Sequence, residues 1–216
     1  MIENIALIGK YYPDWKVYIY TAPDVEEWFV NQISMYSNVV IRRTGQIGPI
    51  NMIHRFFAID DSDVETMLVR DADSRVHWKD RWAINQFLKN PRYVAQIIRD
   101  NKEHTAQIMG GMWGLRKSAG LIIQNEYIRY IHNPPPINRH GHDQDFLGDC
   151  IYPKIVSKAL VVYSNDRIRI GEKAIEFPFP YTNDIYCGRT EDSTFRDSPQ
   201  PRTNFRVATL FPFLSR

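Results

Sequence analysis

A run of apolar residues ends in two carboxylates at Val69-Arg70-Asp71-Ala72-Asp73-Ser74-Arg75. Carboxylates at i and i+2, on the turn that leaves a strand, can reach one point. A hard divalent cation such as Mn²⁺ or Mg²⁺ takes two protein oxygens in this way and fills its other positions with water and phosphate oxygens. Open α/β sheets bind ligands at the carboxyl ends of their strands, so the placement of the pair matters as much as its spacing. Asp-x-Asp occurs three times, at Asp61/Asp63, Asp71/Asp73 and Asp143/Asp145. Only the middle pair follows an apolar strand and lies between arginines. Asp60-Asp61-Ser62-Asp63 precedes that strand and reads as a solvated turn.

Two other segments carry chemistry. Met109-Gly110-Gly111-Met112-Trp113-Gly114 combines glycines, which let backbone approach a ligand closely, with a Trp that offers a flat apolar face to a sugar ring. Read alone, it is equally a tight turn beside a core Trp. His140-Gly141-His142-Asp143-Gln144-Asp145-Phe146-Leu147 opens a helix. Its carboxylates fit a general base or an acceptor-binding group, and also fit simple partners of the helix dipole. The two histidines lack the further ligands of a zinc set. Arg42, Arg43, Arg55, Arg70, Arg75 and Arg99 are possible diphosphate partners through bidentate pairing. Arg55, between His54 and Phe56-Phe57, is the most suggestive, because an arginine among aromatics is partly buried and needs a partner.

The elements that must position these residues alternate between strand-like and helix-like patterns, as in an α/β domain. Strands are predicted at 15–20, 39–43, 66–70, 93–99 and 160–163. Helices are predicted at Ile50–Phe57, Lys79–Asn90, from Ser118 as cap to Tyr130 with Leu121, Ile122, Asn125 and Ile128 near one face, and over Asp143–Ile151. A helix after Trp15–Tyr20 places Val25, Trp28, Phe29, Ile33 and Tyr36 on one stripe. Asp24 and Glu27 have the spacing of a capping box in front of it. Pro134-Pro135-Pro136 reads as a rigid loop. Beyond Phe177 the chain is expected to be irregular and to pack through Phe205, Leu210, Phe211 and Phe213.

The chain has 216 residues, 44% hydrophobic and 24% charged, with a formal charge of +2. That composition excludes a disordered tail, a collagen-like fibre and a disulfide-stapled mini-protein. The charge is too small to argue for nucleic acid, which needs a clustered basic face. Aromatics at 13% suit a deep core or a site that stacks sugars. The two cysteines, Cys150 and Cys187, suit a reducing compartment. There is no apolar run of the ~18 residues that a membrane span needs and no basic n-region, so a cytoplasmic location is expected.

Taken in order, the segments resemble one family. His54-Arg55-Phe56, Leu68 to Arg75, Arg99-Asp100-Asn101-Lys102-Glu103-His104, Gly110 to Gly114 and His142 to Leu147 are similar to the motifs of GT-A-fold glycosyltransferases. The sub-group they resemble is the viral and bacterial type that includes the chlorovirus enzyme building glycans on the major capsid protein. The resemblance covers about Tyr12 to Pro180. It implies a single GT-A-like (Rossmann-like) α/β domain with a central mixed, mostly parallel sheet flanked by helices and an irregular C-terminal segment. Residues 1–115 would bind the nucleotide sugar, and residues 116–216 would form the acceptor side and tail. It also implies Mn²⁺ or Mg²⁺ on Asp71 and Asp73 and a UDP-sugar donor near Tyr20, Thr21, Arg55, Arg70, Gly110, Gly111 and Trp113. Asp143 would be the base, with Asp145 second, in an inverting transfer to a glycan or glycoprotein; a retaining transfer needs no such base. Viral capsid glycan synthesis is the setting implied by the sub-group. The family commonly begins with a strand ahead of the helix that Asn4 to Tyr11 resembles, and this chain has almost nothing before Asn4. Two rival readings remain: a metal-dependent phosphohydrolase or nuclease using the same carboxylates, and a non-enzymatic carbohydrate-binding domain using the aromatics.

Overall fold

The computed structural model describes residues 1–132, 139–179 and 186–189, with the backbone of a strand at Ala208–Pro212. Pro134-Pro135-Pro136, Phe205 and Phe213 lie outside the described residues. In chain order the elements are α1 (Ile2–Tyr11), β1 (Lys16–Thr21), α2 (Glu27–Ser34), β2 (Val39–Arg43), a 3-10 helix (Pro49–Asp60), β3 (Thr66–Val69), α3 (Trp78–Lys89), β4 (Ala95–Ile98) and β5 (Trp113–Arg116). Then come α4 (Ile123–Ile131), α5 (His142–Phe146), a π-helical turn (Leu147–Ile151), α6 (Tyr152–Val156), β6 (Leu160–Tyr163), β7 (Lys173–Ile175) and β8 (Ala208–Pro212). The strands form one mixed sheet in the order β2-β1-β8-β3-β5-β4-β6-β7. Only β5 runs against its neighbours.

Side chains alternate across this sheet with the period of two that strands impose. Tyr18, Tyr20, Met67, Val69, Ala95, Ile97, Trp113 and Leu115 share one core with the 3-10 helix, α4, α5 and α6. Val17, Ile19 and Leu68 join α1, Ile33 of α2 and Ile84 of α3 on the other face. The alternation continues past the strand ends. Asp71 therefore faces the first core, and Arg70 faces α3.

Three local readings are corrected. Asp24 and Glu27 form no capping box: the N-cap of α2 is Glu26, with no side-chain cap. Glu27 instead grips Arg43 of β2 through two hydrogen bonds of 2.6 and 2.7 Å. Trp28 is 64% exposed, because Val30 and Ile33 carry the packing of α2. The helix predicted from Ser118 starts later. Gly120, at φ +66, ends a one-turn 3-10 helix, and α4 begins at Ile123. Its cap comes from far away in sequence: Asp60 accepts from the amides of Ile123 and Gln124 at 2.8 Å each, satisfying two donors that the helix leaves open. The buried face is Ile123, Glu126 and Tyr127, while Ile122 and Ile128 are exposed.

The C-terminal expectation also changes. The segment Ala208–Pro212 is not irregular: β8 pairs in parallel with both β1 and β3, inside the sheet. That inner position, between β1 and β3, is filled by a segment remote in sequence from both. An inner strand is apolar on both faces and shows no alternation to read. Among the described residues, no helix is long and apolar enough to cross a membrane.

Candidate functional site

The site lies where β3 ends and β5 begins. The antiparallel register pairs Val69 with Trp113. Two residues beyond each, Asp71 leaves β3 directly opposite Gly111, which leads into β5. Gly111 is needed there for space. A Cβ on it would collide with the Asp71 carboxylate, and even the farther oxygen would lie only 2.7 Å away. Gly110 is equally confined, since its Cβ would overlap the Arg55 guanidinium and lie 3.0 Å from Asp143 Oδ2.

Arg55 joins the two acidic segments. It sits on the 3-10 helix, which starts after Gly48 at φ +86 with Pro49 in its first turn. Ile53, Phe56 and Ile59 bury that helix in the first core, so Arg55 is drawn inside with them. Its Nη1 donates to Asp71 Oδ1 at 2.5 Å, and its Nη2 donates to Asp143 Oδ2. The Arg55 and Asp143 side chains are each 2% exposed, whereas Asp71 is 35% exposed and opens outward. Burial works against the charge on Arg55. The two carboxylates more than restore it and hold the guanidinium above its ordinary value.

Asp143 reaches this point from the first turn of α5, which starts after Gly141 at φ +84. His142 is buried beside it, and its Nε2 lies 3.1 Å from the Tyr127 hydroxyl of α4. Burial pushes the His142 imidazole down from its ordinary value, against the neighbouring Asp143. Gln144 accepts a long 3.4 Å hydrogen bond from the Gly110 amide, so the α5 turn and the glycine loop meet.

The structure brings Arg55, Asp71, Gly110, Gly111 and Asp143 together. Asp73 is exposed on the turn that follows Asp71. Tyr20, at the end of β1, is buried against His54, the residue before Arg55, with ring centroids 6.3 Å apart. Thr21 is buried next to it, and its carbonyl accepts from the Thr44 amide at 2.9 Å. Three expected residues lie elsewhere. Arg70 points to the opposite face of the sheet and is paired there with Asp80 at 2.5 Å. Trp113 is fully buried and packs edge-on against Phe56, so it is core and presents no face to a sugar. Its position follows from β5, which a four-residue strand with a central glycine conceals in the sequence. Asp145 is on the surface, paired with Arg139.

The Arg99 to His104 motif turns out to be a brace. Arg99 donates to the Gln107 and Arg167 carbonyls and pairs with Glu172, which also accepts from the Tyr152 hydroxyl at 2.7 Å. Burial alone would raise the Glu172 carboxyl. The hydrogen bonds from Arg99, Tyr152 and the Arg169 amide outweigh it and hold the group below the usual carboxylate range. Asp100 is buried with Lys79, 3.0 Å away, and its amide donates to His104 Nδ1. Burial lowers the His104 imidazole, in keeping with that nitrogen acting as acceptor.

Asp71 and Asp73 are the two carboxylates expected to hold a cation; among the described residues no group of three or more His, Cys, Asp or Glu converges. The set still suits a hard cation. A single guanidinium stands between Asp71 and Asp143, so that trio keeps net negative charge. Two carboxylates plus solvent and phosphate oxygens are an ordinary environment for Mg²⁺ or Mn²⁺.

No protein-family model matches the chain, and no curated protein does. Among solved structures, it is similar to the crystal structure of a glycosyltransferase involved in the glycosylation of the major capsid of PBCV-1. The two share 16% sequence identity over 69% of this chain and 82% of the other, with a TM-score of 0.45.

Proposed function

We propose that this chain is a glycosyltransferase that moves a sugar from a UDP-sugar to a glycan or glycoprotein acceptor, with Mn²⁺ or Mg²⁺ held by Asp71 and Asp73. The observation that carries this reading is the Arg55 bridge between Asp71 and Asp143, closed by the Gly110-Gly111 backbone at the carboxyl end of β3. The order of motifs, which resembles that of GT-A-fold glycosyltransferases, supports it from the sequence side. The bound cation would supply Lewis-acid stabilisation of the departing nucleoside diphosphate. Arg55 would lie near the donor and hold Asp71 and Asp143 in place. Asp143 would take the proton of the acceptor hydroxyl as a bond forms to an oxocarbenium-like sugar carbon, which inverts that carbon. Gly110 and Gly111 let backbone lie beside the donor with no side chain between. Tyr20 and Thr21 would form the edge toward the nucleobase. With Trp113 in the core, the glycine loop offers no aromatic face to a sugar.

Asp73→Asn tests the proposal at little risk to the fold, because the side chain is exposed. UDP release from a panel of UDP-sugars should fall at least about tenfold, in line with the loss of a metal-held charge, while the melting curve stays in place. Near-normal release in the variant, or in the native chain with EDTA, would contradict it.

A further inference from the structure

The turn that carries Asp71 and Asp73 is gripped from two sides by residues remote in sequence. Asn4, in the first turn of α1, is fully buried. Its Nδ2 donates to the carbonyls of Ala72 at 2.8 Å and Ser74 at 2.7 Å, the two residues that flank Asp73. Two carbonyl acceptors fix which end of the amide faces the turn, since only the nitrogen can donate. Its Oδ1 is buried with no hydrogen-bond partner among the described residues. A buried, half-satisfied amide costs free energy, and Asn is a poor helix former. An apolar residue would serve the packing of α1 better, so the side chain is explained by the two bonds it makes.

The opposite jaw is the segment 186–189. The Ser74 hydroxyl donates to the Gly188 carbonyl at 3.0 Å, and the Arg75 amide donates to the Arg189 carbonyl at 2.9 Å. His77 Nε2 lies 3.2 Å from the Tyr186 carbonyl, and the Cys187 amide donates to Asp100 Oδ2 at 3.0 Å. Gly188, at φ +89, also lies against Met112, so the segment touches the glycine loop as well. None of these bonds uses the carboxylates of Asp71 or Asp73. The grip acts on the backbone and on the Ser74 hydroxyl and leaves both carboxylates out of it.

We infer that Asn4 is a positioning residue, which with Ser74 and the segment 186–189 holds the Asp71–Ser74 turn so that its two carboxylates meet one cation. The inference rests on the reading of Asp71 and Asp73 as ligands. Preorganisation of this kind saves the ordering cost that a mobile turn would incur on binding.

The test compares the native chain with Asn4→Leu, a change that keeps side-chain size and removes the donor. Two quantities are read: hydrogen exchange at the amides of residues 72–76, with α4 amides as reference, and affinity for Mn²⁺ alone. The variant should exchange about tenfold faster in the turn, with α4 unchanged, as expected for selective local opening. Its Mn²⁺ affinity should fall by about tenfold or more, as lost preorganisation predicts. Unchanged exchange in the turn of a folded variant overturns the grip. Faster exchange with undiminished Mn²⁺ affinity overturns its positioning role. If the native chain takes up no Mn²⁺, the ligand reading fails, and with it the positioning role, while exchange still decides whether Asn4 grips the turn. Should Asn4→Leu not fold, Ser74→Ala removes one bond of the other jaw and carries both measurements.

Discussion

Replacing Arg55 by Met should destabilise the chain by about 3–5 kcal/mol, the usual cost of breaking a buried ion pair by removing one partner. The guanidinium spans two carboxylates, and one of them, Asp143, is as deeply buried as Arg55 itself. Without the cation, Asp143 stays buried with no opposite charge on that side, and Phe56 loses the guanidinium 5.1 Å from its ring centroid. A domain of this size is stable by only about 5–15 kcal/mol in total. The loss should lower the melting temperature by roughly 10 °C or more, and denaturant unfolding would measure it directly. Arg55→Lys should recover only part of the loss. An ammonium group keeps the charge but lacks the planar fork that meets two acids at once. A melting curve unchanged by Arg55→Met would mean that the bridge contributes nothing to the fold.

Gly111→Ala should remove diphosphate and metal binding while costing the fold less, about 1–3 kcal/mol as for other overpacking changes. The added methyl group must enter the space of the Asp71 carboxylate, which Arg55 fixes from the other side. Asp71 is short and cannot swing clear as a long side chain would. It must leave either Arg55 or the position from which it reaches a ligand. Catalytic geometry tolerates little of this, since a displacement of about 1 Å can cost a hundredfold. Calorimetric binding of Mn²⁺ with UDP, set beside a melting curve, separates the two effects. Undiminished binding in a folded Gly111→Ala chain would show that Asp71 can move freely.

The sequence made the sheet ends legible and left their juxtaposition hidden. The apolar run before Asp71 marks where β3 stops, and the same reasoning placed β1, β2, β4 and β6. The strand that sets the site, β5, was invisible, because Trp113-Gly114-Leu115-Arg116 is short and interrupted by glycine. Its antiparallel register puts Gly111 against Asp71 and sends Trp113 into the core. Burial of an arginine between His54 and Phe56 was legible from its neighbours, but the identity of its two partners was not. Contacts between distant residues left no local trace: the Asp60 cap on α4, the Asn4 grip on the Asp71 turn, and β8 between β1 and β3. Arg70 shows the converse. Its place beside Asp71 suggested a shared role, yet the two-residue period of the strand turns it to Asp80.

In the proposed function, Asp71 and Asp73 hold a divalent cation that binds a nucleoside diphosphate. Calorimetric titration of UDP into the chain, once with Mn²⁺ and once with EDTA, tests it most directly. Saturable one-site binding with Mn²⁺ that disappears with EDTA and is lost in Asp71→Asn is the expected result. Binding that is equally tight with EDTA, or that survives in Asp71→Asn, would contradict it.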